Sequence, residues 1–352
     1  MTVKSKSMRL VASFALAWGL LQGSPAARAT TTVIMSGLDS PRGLAIGPEG
    51  ALYVVESGHG GTGPCALIRT ITFCLGPSGA VSRWFHGTQE RVLEGLPSVI
   101  GTNNDVTGPQ RLSFQGRGGG FLTMGFGGLS TQKAAFGPGG ALLGTIVKFT
   151  PGGRVLLEAD IRDYEGRHNP DGGIDESNPF GILALPGAEL MTDAGGNSLL
   201  RVEANGDIST VATFPSRVNG RSTDAVPTAV AIGPDGAYYV SELTGVPFAA
   251  NAARVYRVVP GDTPTVFLTN FTTAIDLKFG PDGSLYVLEH SSGPVFFGGL
   301  GKITRITPGG IRTQVVSGLD RPTSMVIDND GVIYVTNHGI SMGAGEVLKI
   351  VQ

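Results

Sequence analysis

The sequence predicts an all-β fold: a six-bladed β-propeller of four-stranded blades, with the N-terminal strand closing the last blade. Three observations carry this. Glycine makes up 55 of 352 residues, only 15% of residues are charged, and one hairpin pattern recurs six times. A glycine share of about one in six, roughly twice the usual, argues against a helical bundle, since each interior Gly costs a helix about 1 kcal/mol. The glycines follow no Gly-X-Y period, which excludes collagen. A hydrophobic content of 41% supplies a core and excludes general disorder.

Setting the repeats in register shows the unit. Pro41 to Glu56 reads PRGLAIGPEGALYVVE, and Pro227 to Glu242 reads PTAVAIGPDGAYYVSE. Ala274 to Glu289 (AIDLKFGPDGSLYVLE) and Pro322 to Asn337 (PTSMVIDNDGVIYVTN) follow the same pattern. Pro179 to Asp193 is a weaker copy, and Pro109 to Met124 the most divergent. Each alternates apolar residues at period two, turns at Pro-Asp-Gly or a relative, and alternates again, the signature of a β-hairpin. The last four turns, near residues 186, 234, 281 and 329, recur every 47 or 48 residues. The first two units are longer and carry insertions of about 20 residues.

A second hairpin follows in most units, as in Thr145 to Leu157, Ser198 to Val211 and Lys302 to Val315. Two hairpins make a four-stranded blade. The last unit stops after its third strand, and Thr31 to Leu38 (TTVIMSGL) matches Thr313 to Leu319 (TQVVSGL), which ends blade five. The N-terminal strand is therefore expected to complete blade six and remove the open edge.

The chain before that strand has the layout of a secretory signal peptide over residues 1–29. Lys4, Lys6 and Arg9 precede an apolar run from Leu10 to Leu21, and Ala27-Arg28-Ala29 supplies a cleavage site. About 12 apolar residues are too few to span a bilayer, so a secreted or periplasmic protein with no membrane span after cleavage is expected. Residues 30–352 then form a single propeller domain. The first 29 residues hold four of the 26 Lys and Arg and no acid, so the mature chain stands at 22 against 28 Asp and Glu. It is mildly acidic with no basic cluster, which excludes nucleic acid as a partner class. A monomer with a small-molecule ligand is the expectation. Cys65 and Cys74, the only cysteines, predict one disulfide that staples a loop.

The repeat also locates a site. First strands begin and second strands end at the same rim of the central channel. The second-strand ends are Glu56, Met124, Asp193, Glu242, Glu289 and Asn337. His59, His290 and His338 lie within three residues of these positions, and the first-strand starts add Arg42, Asn178, Asp276 and Ser324. Converging oxygen ligands suit a divalent cation such as Ca²⁺ or Mg²⁺. Alternatively, a crowded carboxylate such as Glu242 or Glu289, with His290 as partner, suits general acid–base catalysis. A third use is structural, with these groups hydrogen-bonding backbone amides and holding blades in register. Arg42, His59, Asp276, Asn337 and His338 are candidate substrate contacts. Insertions over the same mouth carry Phe136, Phe248, Phe296 and Phe297, which suit a hydrophobic or aromatic ligand with a polar end.

Several stretches resemble one family. Leu38 to Leu44 (LDSPRGL), Asn169 to Gly173 (NPDGG), Asp175 to Ile182 (DESNPFGI) and Asp193 to Val202 (DAGGNSLLRV) resemble the ScyD/ScyE proteins. These are exported bacterial propellers named for the gene cluster that makes the indole-phenol pigment scytonemin. The resemblance spans nearly the whole mature chain and implies pigment-type or other secondary-metabolite chemistry. More distantly the blades look like NHL-repeat and gluconolactonase-like propellers, many of which bind a divalent cation in the channel. By that resemblance Asn178, Asp193, Glu242, Glu289 and Glu56 are the metal ligands. Three readings follow: a metal-dependent enzyme acting on an aromatic or lactone-like molecule, a non-catalytic ligand- or protein-binding propeller, and a gluconolactonase- or sugar dehydrogenase-like enzyme. The last lacks a visible basic triad for quinone carboxylates.

Overall fold

The computed structural model describes residues 1–2, 29–116, 119–150, 153–218, 222–293 and 298–352. The expected signal segment falls almost wholly outside these residues, as do Phe296 and Phe297. Six antiparallel blades follow one another along the described chain; five are four-stranded sheets, and the sheet of blade one is extended by further strands. Blade one contains Pro41–Ile46, Leu52–Glu56, Ile71–Phe85 and Thr88–Gly101. Blade two contains Pro109–Phe114, Gly120–Met124, Thr145–Phe149 and Val155–Asp160. Blade three runs from Pro179–Leu185 through Ala188–Asp193 and Ser198–Glu203 to Ile208–Thr213. Blade four contains Pro227–Ile232, Tyr238–Glu242, Ala253–Val258 and Thr265–Phe271. Blade five contains Ala274–Phe279, Leu285–Glu289, Gly301–Ile306 and Arg312–Leu319.

Blade six closes the ring as the repeat predicts. Met325–Ile327, Ile333–Asn337 and Gly345–Val351 supply three strands, and Thr30–Leu38 adds the fourth. That strand pairs antiparallel from Thr30 opposite Val351 to Leu38 opposite Gly345. The ring is thus fastened between elements near the two ends of the chain, and the edge of Gly345–Val351 is covered.

The core lies between blades. Leu112, Leu122 and Val147 of blade two pack against Val55, Val81 and Leu96 of blade one, and equivalent layers join blades four to five and five to six. Each fully buried Val or Leu contributes about 1.5–3 kcal/mol. The inner strands approach closely: a Cβ on Gly43 would sit 2.7 Å from the Gln110 carbonyl oxygen of the next blade. At the hairpin turn of blade four, Gly236 adopts φ +79°, which a side chain would strain.

The insertions rise from the mouth. In blade one the third and fourth strands are extended, and Cys65–Ile68 pairs with the former. Cys65 and Cys74 face one another in that pairing and form the predicted disulfide, which fits an exported chain. In blade two, helix α1 (Ser130–Ala134) and a 3₁₀ turn lie between the second and third strands. Helix α2 (Ile161–His168) leads into blade three. Phe136 is buried with Phe126, Leu75 and Leu143, so it pins these insertions together. Among the described residues, no helix is long and apolar enough to cross a membrane.

Candidate functional site

Four of the six residues ending the second strands accept backbone amides. Glu56 accepts the Asp39 amide at 2.7 Å, Glu289 the Thr272 amide at 2.7 Å and Asn337 the Asp320 amide at 2.8 Å. Each donor lies two residues before the start of its blade's repeat, at Pro41, Ala274 and Pro322. Asp193 does more. It accepts the amides of Asn178, Gly195 and Gly196 and the Ser177 hydroxyl, at 2.5–3.1 Å. Met124, at the same position in blade two, is apolar and fully buried. These side chains satisfy the backbone of the incoming connection, the structural use foreseen among the alternatives.

Their remaining oxygens are also engaged. Arg91 and Ser82 bind Glu56, and Lys302 lies 3.3 Å from Glu289. Asn178 turns its amide oxygen to the Phe126 backbone N–H. Glu242 is buried to the same degree. Among the described residues, no three His, Cys, Asp or Glu side chains are grouped as a metal ion needs. Asn178, Asp193, Glu289 and Glu56 therefore do not fit a common cation: their donor atoms are committed to the chain itself.

The channel is crossed by a residue that periodicity alone did not flag. Arg111, on the inner strand of blade two, reaches Asp276 on the inner strand of blade five, with Nη1 2.8 Å from Oδ2. Its Nη2 donates to the carbonyls of Ile275 and Thr323 at 3.0 and 2.7 Å. Asp276 also accepts the Ser324 hydroxyl and the Met325 amide at 2.9 Å, and Lys278 at 3.0 Å. Burial would raise its carboxyl pKa, but the charges of Arg111 and Lys278 and the hydrogen bonds outweigh it and hold the group below its ordinary value. Asp276 thus fastens opposing blades across the channel. In the aligned repeats, the third inner-strand position reads Gly43, Arg111, Gly181, Ala229, Asp276 and Ser324. Two opposite charges stand there on opposing blades, a signal that was present in the sequence.

Nearer the rim, cationic groups collect. Arg42 on blade one donates Nη2 to the Val106 carbonyl at 2.8 Å, while its Nε is buried with no partner among the described residues. Burial lowers its guanidinium below the ordinary value, against the opposing charge of Asp105. His290, from the end of blade five, is 1% exposed, and its Nδ1 lies 2.9 Å from the Pro322 carbonyl oxygen. Burial, together with the charges of Arg42 and Arg321, pushes its imidazole down to about 4, so the ring is neutral at neutral pH. Arg321 of blade six donates to the Gly299 carbonyl at 3.2 Å. Two guanidinium groups and a neutral imidazole, from three blades, thus lie near one another, since His290 feels the charges of both arginines.

The other candidates lie further out. His338 pairs with Asp320 at 2.8 Å and His59 lies 3.4 Å from Asp39, both partly exposed on the rim. Phe248 is half-buried on the blade-four loop. That loop also exposes Val246, and neighbouring loops expose Leu300 and Met342. Two further buried carboxyls are shifted upward. Burial, then the charges of Asp193 and Asp171, pushes Glu165 up to about 8. Burial, then the charge of Glu158, pushes Glu189 up to about 7.

Comparison with solved structures supports the architecture. A structural genomics protein of unknown function from Bacteroides thetaiotaomicron aligns over 92% of this chain and 76% of its own, with TM-score 0.58 and 10% identity. A putative glucose dehydrogenase from Thermus thermophilus aligns over 92% and 100%, with TM-score 0.55 and 16% identity. The PQQ-bound aldose sugar dehydrogenase of Streptomyces coelicolor aligns over 93% and 99%, with TM-score 0.55 and 13% identity. At these identities the likeness is one of fold, that of six-bladed propeller proteins. No protein-family model matches the sequence, and no curated protein matches it.

Proposed function

We propose that this chain is an exported binding propeller that holds a small hydrophobic or aromatic molecule by an anionic group at the channel mouth. The observation that carries the reading is the convergence of Arg42, Arg321 and neutral His290 on one rim, with the Arg42 Nε buried and unpartnered among the described residues. A sealed donor on a cation has most to gain from a charged acceptor, and a guanidinium matches a carboxylate or phenolate in planar geometry. The apolar loop residues Val246, Phe248, Leu300 and Met342 supply the hydrophobic surround. The ScyD/ScyE-like motifs support an aromatic ligand of secondary-metabolite type. A binding role is favoured over acid–base catalysis, because Glu56, Asp193 and Glu289 are spent on backbone amides and His290 is a weak base.

Calorimetric titration of the mature protein with matched pairs, such as indole-3-carboxylate and its neutral carboxamide, tests this. The carboxylate is expected to bind at least about tenfold tighter, and Arg42→Gln to remove the difference, in line with a charge-assisted hydrogen bond of about 1.5–3 kcal/mol. Equal binding of acid and amide removes the anionic group from the reading, and binding of neither removes the reading itself. PQQ and aldoses in the same titration test the sugar dehydrogenase-like alternative.

A further inference from the structure

We propose that the junction between blades two and three binds a hard, oxygen-coordinated cation of the Ca²⁺ class, with Glu165 and Asn169 as ligands. The site lies between the C-terminal turn of α2 and the Asp193–Asn197 turn of blade three.

Glu165 is fully buried, and neither of its carboxylate oxygens has a hydrogen-bond partner among the described residues. It is aimed at the blade-three turn: a Cβ on Gly196 would sit 2.6 Å from its Oε2. One helical turn further on, Asn169 caps α2 in the left-handed conformation, and its Oδ1 is likewise buried without a partner there. Residues i and i+4 share a helix face, so three sealed, acceptor-only oxygens from two side chains stand on one side of α2. Hydrogen bonds fix what surrounds them. The Asn169 Nδ2 donates to the Gly173 carbonyl at 3.0 Å, and Asp171 accepts Gly173 N at 2.8 Å and Asn197 Nδ2 at 2.9 Å.

The charge balance points the same way. Asp171, Asp175 and Asp193 all act on Glu165, and Arg162, which opposes them, is itself paired with Asp175. A buried carboxylate without a donor is costly, and a bound cation relieves that cost. The donors are oxygens only, which selects a hard ion over a thiolate- or imidazole-seeking one. Among the described residues no three carboxylates are grouped, so the amide oxygen and water complete the shell. Ca²⁺ tolerates such a mixed and irregular set better than Mg²⁺, which demands a near-ideal octahedron. Glycine at 196 leaves the carboxylate the space that a side chain would take.

The test uses the mature chain, chelator-treated and dialysed, with CaCl₂, MgCl₂ or NaCl as the only probe. Binding of one Ca²⁺ per chain, with a Tm rise of at least about 3 °C at a hundredfold excess over Kd, is the expected result. Glu165→Gln is expected to abolish both signals, and Asn169→Ala and Gly196→Ala to weaken Ca²⁺ at least about tenfold. Glu189→Gln, which removes a buried carboxyl elsewhere, is expected to leave them unchanged. Should Glu165→Gln not fold, the Asn169 and Gly196 variants decide. No bound Ca²⁺ in the wild-type chain overturns the proposal, as does undiminished Ca²⁺ binding in Asn169→Ala and Gly196→Ala. Because Arg42→Gln is expected to leave Ca²⁺ binding intact, failure here is separable from failure of the mouth reading.

Discussion

At the channel, the buried carboxylate of Asp276 accepts from Arg111, Lys278, a serine hydroxyl and a backbone amide. At the junction of blades two and three, the equally buried carboxylate of Glu165 accepts from no donor among the described residues. Burial alone is the same for both, so burial does not decide what a carboxylate does. Partners decide. Where the chain supplies donors, the charge is a fastener that locks opposing blades; where it withholds them, the site asks for something from outside.

The contrast is broken most severely at Arg111. Arg111→Met leaves Lys278 as the one cationic partner of buried Asp276 among the described residues, and a loss of about 3–5 kcal/mol in urea unfolding is expected. The double variant Arg111→Met/Asp276→Leu is expected to recover most of it, since apolar replacement of a whole buried pair is often neutral. A loss under about 1 kcal/mol for the single variant breaks the fastener reading.

The second effect is one of pH. The folded pKa of Asp276 is depressed, so its contribution is present above its unfolded value near 3.8 and is lost as pH falls through the folded value. Glu189 has the opposite sign. Its folded pKa is raised from 4.5 to about 7, so the proton it retains favours the folded state below 4.5. That advantage fades as pH climbs through about 7, by at most about 3 kcal/mol. Stability measured against pH is expected to fall less steeply between 4.5 and 7 in Glu189→Gln than in the wild type. An unchanged slope shows that Glu189 finds its partners in the folded state after all.

Smaller effects sharpen the picture. Glu289→Ala removes the acceptor of the buried Thr272 amide, with an expected cost of about 1–3 kcal/mol and faster amide exchange at the blade four–five connection. The Cys65→Ser/Cys74→Ser variant is expected to lose at most about 2–3 kcal/mol. Its loss should appear as local exchange in the blade-one extension, because the bridge closes a hairpin outside the ring.

The fold was legible because each blade repeats one local instruction. Alternating apolar residues, a Pro-Asp-Gly turn and a second alternation specify a hairpin anywhere in the chain, and the match of Thr31–Leu38 to the end of blade five exposed the closure. The site was legible only in position. Aligned repeats placed Glu56, Asp193, Glu289 and Asn337 at equivalent strand ends, but alignment does not say which atoms meet them. Backbone amides from the preceding connections do, and those connections vary in sequence. Arg111 was hidden because Pro109 to Met124 is the most divergent copy, and its charge makes sense only beside Asp276, 165 residues away. Glu165 had no repeat to point to it, since α2 belongs to an insertion.

The sequence by itself determined the number of blades, their turns, the disulfide partners and the strand that closes the ring. Each of these depends on local patterns or on similarity between segments. The tertiary structure decided which polar groups are satisfied, that Arg111 spans the channel, and that Arg42, Arg321 and His290 share a rim. Those outcomes are set by contacts between blades brought together only when the ring closes, and a charge buried there takes its meaning from its neighbours in space.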